Sequence, residues 1–113
     1  MYDIEVRSSG NGDMTVELRG ELDVASAPEL RSTLDNMASF RRPTTIDLSG
    51  VTFLDLQSTR ELAVRAQLYA HLLTLANPSW QARASVEACK LQDWVRFEHR
   101  TIRPDPRPLR KVS

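Results

Sequence analysis

Cysteine is nearly missing from this chain. Cys89 stands alone, so no internal disulfide can form and no zinc site can be built on paired thiolates. A single thiol suits a reducing compartment, and the chain reads as cytoplasmic. Long apolar runs are missing as well. No stretch approaches the ~18 apolar residues needed to cross a bilayer. Residues 1 to 20 carry charges throughout, which leaves no apolar centre for a signal peptide. Net charge is absent too: fifteen Lys plus Arg offset fifteen Asp plus Glu, so the whole chain offers no field drawing it to nucleic acid or an anionic membrane. His71 and His99 fall outside metal-ligand and nucleophile spacings, and there is no glycine-rich phosphate loop, so the usual signatures of an enzyme are lacking. Cys89 falls on the apolar side of a predicted helix, the setting of an inert core thiol.

What is present is enough for one folded domain. The 113 residues are 41% hydrophobic and 27% charged, values that separate the chain from disordered sequences. Tyr2 to Arg7 alternates between apolar and charged side chains, and Met14 to Leu18 alternates again across a Ser/Gly/Asn-rich connection, which predicts an antiparallel hairpin with Asp3 and Glu5 facing solvent. Ser26, Pro28 and Glu29 predict a capping box, and Ala27, Leu30, Leu34 and Met37 give the apolar stripe of a first helix. Pro43 ends it, and Thr44 to Leu48 predicts a central strand followed by a loop from Ser49 to Asp55. A second helix is expected from about Leu56, a short strand over Leu72 to Leu75, a third helix capped by Ser79, and a last strand over Trp94 to Glu98. The order ββαβαβαβ predicts an α/β fold with a mixed, mostly parallel sheet of about five strands and an N-terminal hairpin.

Composition changes at Thr101. Arg103, Arg107, Arg110 and Lys111 against Asp105 leave this end at a net +3, and Pro104, Pro106 and Pro108 interrupt it. Residues 1 to 100 are therefore expected to form the domain, and residues 101 to 113 a flexible tail without regular pairing. Four dispersed charges without stacking aromatics make a weak footprint for nucleic acid or lipid.

Three joints carry a family resemblance: Leu18-Arg19-Gly20-Glu21-Leu22-Asp23 before the first helix, Ile46 to Asp55 before the second, and Leu75-Ala76-Asn77-Pro78-Ser79 before the third. Their order and spacing over residues 2 to 99 resemble the STAS domain of bacterial anti-sigma-factor antagonists. The resemblance implies a regulatory protein-binding module whose partner is an anti-sigma factor or related serine kinase, with no catalytic residues and no cofactor. In that family the second joint typically ends in Asp-Ser-Ser-Gly, with the second serine phosphorylated by the partner. Laid on this chain, Asp55 matches the Asp, Leu56 the first serine, Gln57 the phosphoacceptor and Ser58 the glycine. Gln57 has no hydroxyl, so the usual switch cannot operate at that position. Family glycines are also replaced at Ala70 and Lys90, and Lys90 in a left-handed conformation would cost about 1 kcal/mol.

The resemblance places partner binding on Asp23, Asp55, Leu56, Gln57, Ser58 and Arg60. Asp55 also reads as a helix cap, and the two roles can coexist. Ser58-Thr59-Arg60-Glu61 forms a second capping box, which leaves open a helix start at Ser58 or phosphate on Ser58 or Thr59 in place of residue 57, although capping alone explains these residues. Asp23, Asp47 and Asp55 make a poor match to a Mg²⁺ site, since hard cations need several convergent oxygens and Asp47 lies inside its strand, so no metal is expected. The alternative function is a structural or self-associating scaffold that has lost the anti-sigma partner, motivated by an apolar Leu56 at a loop–helix joint.

Overall fold

A computed structural model describes residues 1–8 and 11–102, together with the backbone of residues 110–111. The elements are β1 (Tyr2–Ser8), β2 (Met14–Leu22), α1 (Ala27–Ser39), β3 (Thr44–Leu54), α2 (Leu56–Leu68), β4 (Leu73–Ala76), α3 (Trp80–Ala88), β5 (Phe97–Glu98) and β6 (Arg110–Lys111). They form one sheet in the order β5-β4-β3-β2-β1-β6. The central pairs β2–β3, β3–β4 and β4–β5 are parallel, and the hairpin β1–β2 is antiparallel. The α/β class, the mixed sheet and the hairpin are those the alternation and helical spacing predicted.

The core follows from the two periodicities. Ile4, Val16, Leu18, Ile46, Leu48 and Leu75 from the strands share one buried cluster with Leu30 and Leu34 of α1, Leu62 of α2 and Ala82 of α3. On β1 and β2 the alternate positions hold an ionic ladder. Glu5 lies directly opposite Glu17, a repulsive pair in isolation. Two arginines bracket it: Arg7 pairs with Glu5 and Glu17, while Arg19 pairs with Glu17, Glu5 and, at 2.9 Å, Asp3. Glu5 is buried among these charges, so the expectation of a solvent-facing carboxylate there is corrected.

Several boundaries differ from the sequence reading. The stretch Ser49 to Leu54 continues β3 and is not a loop, because β2 runs on to Leu22 beside it. Register shifts between Glu17 and Arg19 and between Gly20 and Glu21 absorb the residues that resemble a turn. Gly20 at φ +82° is obligatory there: a Cβ would lie 2.3 Å from the Met1 carbonyl oxygen. The capping box at α1 does not form. Ser26 Oγ accepts from the Asp23 amide and donates to the Asp23 carbonyl, and Glu29 accepts a 2.6 Å bond from the Tyr2 hydroxyl. The last predicted strand is reduced to Phe97 and Glu98, since Trp94 closes a turn on the Leu91 carbonyl. Lys90 does take the left-handed conformation, at φ +57°.

The C-terminal end also departs from expectation. Arg110 and Lys111 pair antiparallel with Val6 and Glu5, adding a sixth strand outside β1. Both residues follow the last proline of the tail and keep their amides, so the backbone is free to pair. Most of the segment read as a flexible tail, residues 103–109, 112 and 113, lies outside the described residues.

Candidate functional site

The first two joints meet at one end of the sheet, where β2 and β3 finish side by side at Leu22 and Leu54. The Asp55 amide donates to the Leu22 carbonyl at 3.1 Å, which tethers the start of α2 to the end of β2. Asp55 Oδ1 then accepts from the Ser58 amide at 2.8 Å, and Thr59 Oγ1 donates to the Asp55 carbonyl at 2.6 Å. Asp55 is thus the N-cap of α2, and the alternative helix start at Ser58 does not occur. Ser58 Oγ reaches back 3.2 Å to the Asp23 carbonyl, and Asp23 Oδ1 accepts from the Ala25 amide in a local turn. Asp23, Asp55 and Ser58 are therefore one hydrogen-bonded knot joining the β2–α1 turn to α2.

That knot sorts the six residues singled out from the sequence, together with Thr59, into three groups. Ser58 and Thr59 are fully buried, each with its hydroxyl engaged by a backbone carbonyl. Asp23 and Asp55 are partly buried and direct carboxylate oxygens at local amides. Leu56, Gln57 and Arg60 face outward. Leu56 is 51% exposed, a large apolar area for a helix terminus. Val24 in the turn and Phe53 at the end of β3 are 71% and 50% exposed. Sequence reasoning passed over both: Val24 is an apolar side chain in the turn between Asp23 and Ala25, and Phe53 lies between Thr52 and the buried Leu54.

Gln57 is held from below. Its side-chain amide donates to Glu61 Oε1 at 3.1 Å, and Glu61, itself buried, is paired with Arg65 at 2.7 Å and approached by Arg31 at 3.9 Å. Arg65 continues to Asp35 at 3.3 Å, and the Tyr69 hydroxyl donates to the same carboxylate at 2.9 Å. This polar seam runs the length of the α1–α2 contact. The bond to Asp35, then burial, then the Asp35 charge raise the Tyr69 phenol above its ordinary range, against a smaller opposing effect of Arg65. Glu29 raises the Tyr2 phenol in the same way, chiefly through its hydrogen bond.

Among the described residues no three His, Cys, Asp or Glu side chains gather as a metal site, and Asp47 instead accepts from the Ser49 hydroxyl within its own strand. No helix among them is long and apolar enough to cross a membrane.

A hairpin leading into three parallel crossovers, with a knotted joint at the start of the second helix, defines an α/β domain built on one mixed, mostly parallel sheet. Comparison with known proteins gives the family. The STAS domain model matches residues 3–105, and the chain belongs to the STAS domain family. An anti-sigma factor antagonist from Mycobacterium paratuberculosis has a similar structure, with a TM-score of 0.71 at 22% identity over 86% of this chain and 85% of that one. The anti-sigma factor antagonist SpoIIAA in its unphosphorylated form superposes with a TM-score of 0.65 at 18% identity, covering 87% and 88% of the two chains. At such identities the likeness establishes the shared fold. No curated protein matches the sequence.

Proposed function

We propose that this chain is a non-enzymatic, cytoplasmic binding module that docks an anti-sigma factor or a related serine-kinase regulator and is not switched by phosphorylation. The observation that carries this reading is the composition of the outward surface at the start of α2: Leu56, Val24 and Phe53 are exposed around a joint whose carboxylates each accept from a local backbone amide. A buried knot beneath an apolar rim is suited to recognition by packing. Gln57 lacks a hydroxyl, and the hydroxyls of Ser58 and Thr59 are buried in hydrogen bonds, so none of the three positions offers a kinase an accessible acceptor. Ser58 and Asp23 hold the surface from beneath, while Leu56, Gln57 and Arg60 make the contact, with Asp55 at its margin.

The test is calorimetric titration with the anti-sigma factors of the source organism, each purified with its kinase domain intact. Leu56→Glu should weaken binding at least tenfold with unchanged melting temperature, and incubation with the partner that binds and ATP should leave residues 57 to 59 without phosphate by mass spectrometry. Equal affinity of Leu56→Glu and wild type, or robust phosphate on Ser58 or Thr59, would overturn the reading.

A scaffold role through self-association has one observation in its favour. Leu56, Val64 and Leu68 recur at intervals of four or eight along α2, all exposed, with Arg60 in the same row. Sedimentation at several concentrations separates the two readings, because the scaffold requires a dimer or larger assembly that Leu68→Glu would dissolve.

A further inference from the structure

At the carboxyl ends of β4 and β5 lies an open cavity of about 610 Å³ lined by Ser49, Asn77, Pro78, Arg83, Phe97 and His99 among others. Its volume is within the range of small-ligand sites. We infer that it binds a small organic oxyanion with a flat apolar body, such as an aromatic carboxylate, through the guanidinium of Arg83. This goes beyond the partner-binding role and does not depend on it.

The wall of the cavity is pre-formed. Asn77 sits in the left-handed region at φ +53°, and from there its amide donates to the Glu98 carbonyl at 2.9 Å. Its side chain accepts from the Arg100 amide at 2.8 Å and donates to the Arg100 carbonyl at 2.7 Å. Three bonds from one residue thus fasten the segment after β5 to the end of β4. Arg100 is fixed further by Thr45 Oγ1 at 2.9 Å and Glu98 at 3.2 Å, so the carboxylate on the rim already has its counter-ion.

Arg83 differs. It has no carboxylate partner among the described residues, and its guanidinium carbon lies 5.4 Å from the centroid of the Phe97 ring. A guanidinium over an aromatic ring is drawn to the ring's negative face, and its N–H edge matches a carboxylate or phosphate in a two-bond fork. The half-buried Phe97 ring supplies apolar surface beside the fork, and His99 adds a polar group to the lining. The arrangement therefore selects for negative charge next to a flat apolar group.

The full chain, isotopically labelled, would be titrated at constant ionic strength with benzoate, inorganic phosphate and benzamidine while backbone amide shifts are followed. Saturable shifts confined to residues 77 to 83 and 97 to 100 are expected with benzoate, weaker ones with phosphate, and none with the cation benzamidine. Arg83→Ala should reduce benzoate affinity at least tenfold, and Arg83→Lys, which keeps the charge and loses the fork, several-fold. Both substitutions are at an exposed position, so the spectrum of the folded chain serves as the control. Phosphate binding tighter than benzoate would overturn the role given to Phe97. Absence of saturation, equal binding of benzamidine, or an unchanged affinity in Arg83→Ala would overturn the site.

Discussion

The Asp55 carboxylate shows how one residue's local and functional readings are separated by geometry. Its Oδ1 accepts from the Ser58 amide, and the charge sits at the positive end of α2. Asp55→Ala should therefore lower stability by about 0.5 to 2 kcal/mol, whereas Asp55→Asn, which also caps well, should change it little in chemical denaturation. If the same carboxylate also faces a basic partner surface, Asp55→Asn will bind more weakly despite its normal stability, and the deficit will shrink as salt is added. Gln57 belongs to the same scale. It donates to a glutamate that is already engaged by Arg65, so a neutral donor suits this position where an anion would meet the Glu61 charge.

Between elements, the polar seam of α1 and α2 decides how the second helix lies. Apolar packing through Leu30, Leu34 and Leu62 brings the helices together, and the Glu61–Arg65–Asp35–Tyr69 chain sets their register along the contact. The raised Tyr69 phenol makes this seam sensitive to alkali. A group whose pKa is higher in the folded than in the unfolded state contributes stability that is complete below the unfolded value, about 10 for a phenol, and is lost as pH rises through the folded value. Wild type should then melt above Tyr69→Phe by a constant margin from neutral pH to about 9, and the margin should vanish at higher pH. A difference that persists in strong alkali would assign the effect of Tyr69 to packing alone.

Across the whole molecule, the sheet is closed on its β1 side by two paired residues from the far end of the chain. We propose that residues 1 to 100 still fold without them. Truncation after Ile102 removes β6, a loss of about 1 kcal/mol if its pairing contributes like an ordinary backbone hydrogen bond. Thermal melting should fall by about 4 to 8 °C for a domain of this size, with the helical circular dichroism retained. A truncated chain that fails to fold would place the C-terminal segment within the domain.

The class of fold and the order of elements as far as β5 were legible in the chain because they rest on periodicity, a property of neighbouring residues. Alternation in Tyr2 to Arg7, three-to-four spacing in Ala27 to Met37, and an aspartate ahead of Leu56 each act over a few positions, and each formed the expected element. What stayed hidden depends on residues distant in sequence. Ser49 and Gly50 look like a turn until Arg19 and Gly20 lie beside them and the register shifts take up the strain. Ser26 and Glu29 satisfy a capping pattern, yet the Asp23 backbone and the Tyr2 hydroxyl are nearer partners once β1, β2 and α1 are assembled. Ser58 and Leu56, two positions apart, would be placed the other way round by polarity alone. The direction of α2 over the sheet buries one and exposes the other, because a helix turns through about 200° in two residues and only packing determines which side meets the core.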